Sequence, residues 1–245
     1  MDKIVATIEA RMTSSRLPGK PLLKVIKKTM IEHLVLRLKK VHSIDEIVLA
    51  TTENQSDDIL INAVKSLGIK FFRGDEDDVM QRVIGAAESV KASTIVEITG
   101  DCPLIDPQII EQCIRMFKNH DVDYVSNAVV RSYPDGMDTQ VFSLKTLKKS
   151  ASMTKDLIDR EHVSLHIRNN SKIFKQIHLV APPEIHWPSL GITLDEIGDY
   201  ELIKIIIENL YKKNPYFSCL DIVRFLRKNP KYLKLNDHVN RKGNN

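Results

Sequence analysis

Short apolar runs alternate along the chain with segments whose apolar positions recur every three or four residues. Ile4 to Ile8 is a β-branched run of the length expected for a buried strand. Met30 to Val41 has apolar residues at helical spacing and its lysines late, where a helix carboxyl end favours cations. Glu46 to Thr51 predicts a second strand, and Asp57 to Leu67 an amphipathic helix that Gly68 closes. Lys70 to Phe72 predicts a brief third strand, and Val79 to Val90 a helix. Thr94 to Ile98 predicts a fourth strand that runs straight into Thr99-Gly100-Asp101. Pro107 suits the first turn of a helix from Gln108 to Asn119, with Asp106 placed to cap it. Asp123 to Ser126 opens a fifth strand. This rhythm predicts βαβ units and a mostly parallel sheet covered by helices on both faces.

The pattern changes near residue 129. From there to about 190 the chain carries Pro134, Gly136, Pro182, Pro183 and Pro188. It holds one helix-like stretch (Leu157 to Arg168) and one strand-like stretch (Phe174 to Val180). The segment reads as an arm inserted into a single domain spanning residues 1–245. The rhythm resumes with a strand at Gly191 to Leu194, a helix at Tyr200 to Tyr211 and a last helix at Cys219 to Arg227.

Composition narrows the picture. At 245 residues, with 28% charged and 42% hydrophobic residues, the chain can bury a real core and is not disordered by default. The net charge of +4 is too small to indicate nucleic acid, and much of it comes from Lys228, Lys231, Lys234, Arg241 and Lys242 near the end. Cys102, Cys113 and Cys219 are too few and scattered for a disulfide framework, and are expected reduced and half-buried. His33, His42 and His120 fall on helical patterns and are expected at the surface. Glu9 ends the first apolar run early and no window reaches the length of a membrane span, so a cytoplasmic protein without membrane contact is expected.

In an open parallel sheet ligands bind at the carboxyl ends of the strands, and three unusual stretches fall there. The first, "ARMTSSRLPGKPL", follows the first strand and sets Arg11, Arg16 and Lys20 among small residues. Ala10, Ser15 and Gly19 let backbone amides come close to a ligand, while the cations suit phosphate oxygens. It is not a P-loop, because G-x-x-x-x-G-K-[ST] is absent. The second, "TGDCPLID", holds Asp101 between Gly100 and Pro103, either as a turn former or as a ligand for a hard cation such as magnesium. The third, "GITLDEIGDYE", places Asp195 before a helix, either as its N-cap or as a second metal carboxylate. "RGDEDDVMQRV" follows the third strand; its acids can serve the helix dipole, and Arg82 can turn toward a base or ribose. In the arm, His162 beside Arg160 and Glu161 either binds an anionic substrate or caps a helix.

These motifs resemble the nucleotide-sugar cytidylyltransferases, the group of CMP-Kdo synthetase and acylneuraminate cytidylyltransferase. The opening loop is similar to their A-R-x-x-S-x-R-x-P-G-K signature. "RGDEDDVMQR", "ITGDCPLIDP", "YPDGMDTQVF", "DREHV", "LGITLDEIGDYELI" and "NPKYLKLN" resemble the SpsF-like, spore-coat-polysaccharide branch across nearly the whole chain. The resemblance implies a Rossmann-like, GT-A-type fold whose inserted arm serves dimerisation and substrate binding. It implies attack of a sugar oxygen on the α-phosphorus of CTP with loss of pyrophosphate, the sugar being an acidic 2-keto sugar for surface glycan synthesis. By motif, Arg11, Arg16 and Lys20 would hold the triphosphate, and Asp101 and Asp195 would bind Mg2+. Asp78 and Arg82 would lie near the nucleoside, and Asp138, Arg160 and His162 on the sugar side. The partners implied are CTP, a sugar and a second copy of the chain.

Other readings use the same residues. Related folds activate sugars with other nucleotides or accept phosphorylated sugars. A glycosyltransferase would need a D-x-D metal motif, and the "DVD" at Asp121 to Asp123 sits at the amino end of its strand, the wrong edge. A binding module is disfavoured by three cations and two carboxylates gathered at one sheet edge. A nucleic-acid protein is disfavoured because the cations do not form a continuous face.

Overall fold

The computed structural model describes residues 2–239; Arg241 and Lys242 of the basic closing stretch lie outside the described residues. The first half runs β1 (Ile4–Glu9), β2 (Lys24–Val25), β3 (Lys28–Thr29), α1 (Met30–Leu38), β4 (Glu46–Thr52), α2 (Asp58–Ser66) and β5 (Lys70–Gly74). It continues through α3 (Val79–Ser89), β6 (Thr94–Thr99) and α4 (Pro107–Asn119). The second half adds β7 (Tyr124–Ser126), β8 (Gln140–Ser143), α5 (Leu144–Met153), α6 (Leu157–Glu161) and α7 (Leu165–Asn169). β9 (Gln176–His178), α8 (Ile197–Leu210) and α9 (Cys219–Lys228) follow.

Seven strands form one sheet in the order β5-β4-β1-β6-β8-β7-β9. Only β8 runs against its neighbours; the other pairs are parallel. The carboxyl ends of the parallel strands therefore share one edge, and β1 lies near the middle of it.

Alternation along β1 explains why helices cover both faces. Ile4, Ala6 and Ile8 pack with α1, α2, α4, α8 and α9 on one side, while Val5 packs with α3, α5 and α7 on the other. The helices start where the sequence supplies caps. Asp106 accepts from the Gln108 amide at the head of α4, with Pro107 in the first turn, and Ser218 and Asp221 form a capping box on α9.

The structure departs from the sequence pattern in six places. Residues 157–168 are not one helix: Val163 has φ +37°, which a continuous right-handed helix cannot contain, and α6 and α7 flank it. Gly191 to Leu194 is no strand of the sheet; Gly191 makes only an isolated bridge to Asp135. β8 and α5 arise from residues whose polar look hid them, because β8 has just two buried side chains and its pairing is non-local. The β2–β3 hairpin turns on Ile26 (φ 46°) and Lys27 (φ 66°), without the Asn-Gly that usually announces such a turn. His33 is buried rather than exposed: its Nε2 lies 3.2 Å from the Val25 carbonyl, and burial lowers its pKa. All three cysteines are free and fully buried rather than half-buried.

β1 and β6 end in close contact. The Gly100 amide donates to the Glu9 carbonyl at 2.8 Å, and a Cβ on Gly100 would sit 2.6 Å from Ala10 Cβ and 2.9 Å from that carbonyl. Gly100→Ala is expected to cost about 1–3 kcal/mol by forcing these strand ends apart. Urea unfolding measures it, and a wild-type midpoint would contradict the stated contact.

Candidate active site

The loop after β1 is fixed to β4 by a buried carboxylate. Asp57 Oδ1 accepts from the Met12 amide at 2.7 Å. Its Oδ2 accepts from Thr51 Oγ1 (2.9 Å), the Thr52 amide (3.1 Å) and Thr52 Oγ1 (2.5 Å). Burial pushes the Asp57 pKa up, but these hydrogen bonds together outweigh it and hold the carboxyl below its ordinary value. Farther along, Gly19 takes φ +74° and its amide donates back to the Met12 carbonyl at 2.9 Å, closing the loop on itself. Glycine meets that backbone geometry without strain.

Lys20 then reaches across the sheet edge. Its Nζ donates to the Leu194 carbonyl (2.7 Å) and to Asp195 Oδ1 (3.0 Å), and lies 3.7 Å from Asp101 Oδ2. Arg16 Nη2 pairs with the same Asp195 oxygen at 2.9 Å. The Leu194 amide in turn donates to the Asp101 carbonyl at 2.8 Å, so both aspartates are held by backbone as well as by charge. Asp195 is not the cap of α8. Glu196 is, in a capping box with Asp199, whose Oδ2 accepts from the Asp195 and Glu196 amides. The Asp195 carboxylate is thereby left to the loop cations.

Arg11 belongs to the same edge but to a different partner. Its Nη1 pairs with Glu76 Oε1 at 2.5 Å, and Glu76 also accepts from Thr13 Oγ1 (2.8 Å) and Asn54 Nδ2 (2.6 Å). Those bonds, Asn54's first, hold the Glu76 carboxyl below its usual value.

A cleft of about 1120 Å³ opens over this edge. Ala10, Arg11, Ser15, Arg16, Lys20, Gly100, Asp101 and Asp195 line one end, and Arg82, Asp138 and His162 line it elsewhere. Three sequence candidates stay off its wall. Gly19 shapes the loop. Asp78 caps α3 through the Gln81 amide and pairs with Arg160, 3.0 Å to Nε and 2.5 Å to Nη2, so the two are joined to each other. Arg82 is 4% exposed and spends its Nη1 on the Asp75 and Glu76 carbonyls; burial lowers its pKa. Asp138 pairs with Arg131 at 2.9 Å, and burial raises its pKa despite that cation. "DVD" lies at the amino end of β7, with Asp121 bound to Lys175 at 2.7 Å.

Sequence reading missed Glu9, Glu97, Gln140, Arg131 and Arg168, all on the cleft wall. Two of them left a trace, since Glu97 interrupts the apolar run "TIVEI" and Glu9 ends the first one. Arg131 and Arg168 left none, because only the fold brings residues so far apart in sequence to one wall.

Comparison with known proteins points the same way. A cytidylyltransferase family model matches residues 5–201. The chain is 32% identical over 238 residues to the spore coat polysaccharide biosynthesis protein SpsF of Bacillus subtilis, covering 94% of this chain and 96% of that one. A cytidylyltransferase from Leptospira borgpetersenii superposes with a TM-score of 0.91 at 32% identity, over 98% of this chain and 100% of that one. The fold is shared with CMP:2-keto-3-deoxy-manno-octonic acid synthetase, solved with CTP, at a TM-score of 0.62 and 20% identity, over 84% and 99% of the two chains.

Asp57 offers a direct test of how the loop is held. Asp57→Asn should cost about 1–3 kcal/mol, because buried donors lose a charged acceptor. The folded carboxyl's pKa is depressed, so its contribution is complete above the unfolded value of about 3.9 and is lost as pH falls through the folded value. Unfolding of both proteins from about pH 6 downward should show the gap closing at the acid end; a constant gap would exclude the charge as its cause.

Proposed function

The chain belongs to the cytidylyltransferase family, and on that premise we propose that it transfers CMP from CTP to a sugar oxygen for the synthesis of a surface polysaccharide. The observation that carries this reading is the convergence of Lys20 with Asp195 and Asp101, beside Arg16, at the carboxyl edge of the sheet. In the proposed reaction the sugar oxygen bonds to the α-phosphorus, the bond from that phosphorus to the bridging oxygen breaks, and pyrophosphate leaves. The hydroxyl proton passes to solvent. Arg11 and Arg16 would hold triphosphate oxygens, exchanging their present carboxylate partners for phosphate. Lys20 would face the α-phosphoryl group, where charge builds during transfer.

Magnesium fits the donor set. Asp101 and Asp195 are both carboxylates, and both approach the same ammonium nitrogen. Among the described residues no group of three or more His, Cys, Asp or Glu side chains could hold a metal alone. Two carboxylates with phosphate oxygens and water completing the shell is the usual magnesium arrangement. When bound there, the ion would supply Lewis-acid charge to the phosphate oxygens.

We further propose that the acceptor is an acidic 2-keto sugar. Support comes from Arg168, a half-buried cation on the cleft wall whose Nε has no hydrogen-bond partner. Asp138 and His162 would meet the sugar's hydroxyls. No helix among the described residues is long and apolar enough to cross a membrane, and we place the reaction in the cytoplasm, where CTP is made. A homodimer is proposed from the exposed apolar side chains of the 129–190 segment, Leu157 at 80% and Ile158 at 59% among them.

Lys20→Ala and Asp101→Ala are each expected to lower turnover by about a hundredfold or more, corresponding to about 3 kcal/mol, with the fold kept as seen by circular dichroism. Wild-type rates in either would remove the residue from the reaction. Pyrophosphate release with CTP, GTP, UTP and ATP in turn should single out CTP; release with another nucleotide would keep the mechanism and change the base. Light scattering should give the mass of two chains, and a monomeric mass would refute the dimer.

A further inference from the structure

The floor of the cleft carries two carboxyl groups that the transfer chemistry leaves unused. β1 and β6 run parallel with Thr7 beside Glu97 and Glu9 beside Thr99. Glu9 and Glu97 therefore project from the same sheet face, one pleat apart, at the carboxyl edge. Glu97 is 4% exposed. Neither oxygen of the Glu9 carboxyl, nor Oε2 of Glu97, has a hydrogen-bond partner. Burial raises the Glu97 pKa to about 8, against the lowering influence of Arg168. Burial, reinforced by Glu97, raises the Glu9 pKa as well.

Leaving such oxygens without donors is costly, and setting two carboxyl groups side by side adds repulsion. The neighbouring cations relieve them only in part: Arg168 lowers the Glu97 pKa and Arg82 that of Glu9, and burial outweighs both. Arg82 bonds the Asp75 and Glu76 carbonyls, Arg131 pairs with Asp138, and no ion pair joins Arg168 to Glu97 among the described residues. Burial holds the pair largely protonated; a group that stabilises its ionised form brings several donors and a positive charge from outside the chain. A sugar hydroxyl brings one donor and no charge, whereas a primary ammonium brings three donors and a full charge.

We propose that Glu9 and Glu97 form an ammonium-recognition subsite, and that the acceptor sugar carries a free amino group. This deepens the cytidylyltransferase reading and rests on it. The amine docks on the acid pair at the floor, while Arg168 beside it meets the acceptor's acid group. The subsite discriminates by charge: an acceptor with hydroxyl in place of the amine leaves the carboxyl oxygens unsatisfied.

The test compares acceptors that differ only in amino for hydroxyl. The pairs are 2-keto-3-deoxy-manno-octonic acid with its 8-amino-8-deoxy analogue, and glucose 1-phosphate with glucosamine 1-phosphate. With CTP and magnesium, the amino member of at least one pair is expected to exceed its partner by about tenfold or more in kcat/KM. Glu97→Gln and Glu9→Gln should each shrink that ratio toward unity. The neutral amide keeps the shape and removes the group able to ionise against an ammonium, so melting temperatures should not fall. Equal use of both members by the wild type, or a preference that survives in both variants, would overturn the subsite. If no sugar is turned over, the transferase reading fails by itself, and calorimetry on the CTP-loaded protein judges the subsite. Tighter binding of an amino member, lost in Glu97→Gln, supports it; equal or absent binding of both members overturns it.

Discussion

The Lys20 ammonium is the contact on which the site depends. It joins the loop after the first strand to Leu194 and Asp195, more than 170 positions later, and brings Asp101, in the turn after β6, within ionic reach. A single cation shared by two carboxylates and a carbonyl fixes their spacing without burying any of them completely. The arrangement is balanced without a ligand, so on the proposed reading nucleotide binding would be an exchange: phosphate oxygens would take over the cations, and the released carboxylates would become available to a metal ion. Such an exchange needs no large movement, because both sets of partners already face one cleft.

The supports of this contact are mostly backbone. Asp57 pins Met12 to β4, Gly19 folds the loop back on Met12, and Gly100 allows β1 and β6 to meet without a side chain between them. Glu196 and Asp199 cap α8 between them, which leaves Asp195 to face the loop. A change at any of these positions would act on the chemistry through geometry, at a distance from the phosphates themselves.

The cation loop and the floor of the cleft differ in kind. In the loop each cation already has a carboxylate or carbonyl partner. On the floor, Glu9 and Glu97 hold three buried carboxyl oxygens without a hydrogen-bond partner, beside an arginine with an unused Nε. The fold tolerates this because the rest of that sheet face is well filled: Val5 and Ile95 pack against Met80, Val83, Leu147 and Ile167. Core packing on one stretch of a strand thus offsets electrostatic cost two residues farther along it.

The helices and parallel strands of residues 4–119 were legible because each is specified locally, by apolar period and by caps such as Asp106 with Pro107. The opening loop, Asp101 and Asp195 were legible for a related reason, since a parallel sheet dictates which strand ends face a ligand. What tertiary structure alone decided is pairing between distant residues. Asp78 is engaged by Arg160, Arg82 by two carbonyls, and the strand at Gln140–Ser143 exists through its partners on either side. Val163 breaks a helix that its sequence would continue, because the break lets Val163 enter the core and lets the Ser164 hydroxyl donate to Gln140. Local sequence sets which conformation each segment prefers; which side chains a charge finds across the sheet depends on distances that only the folded chain defines.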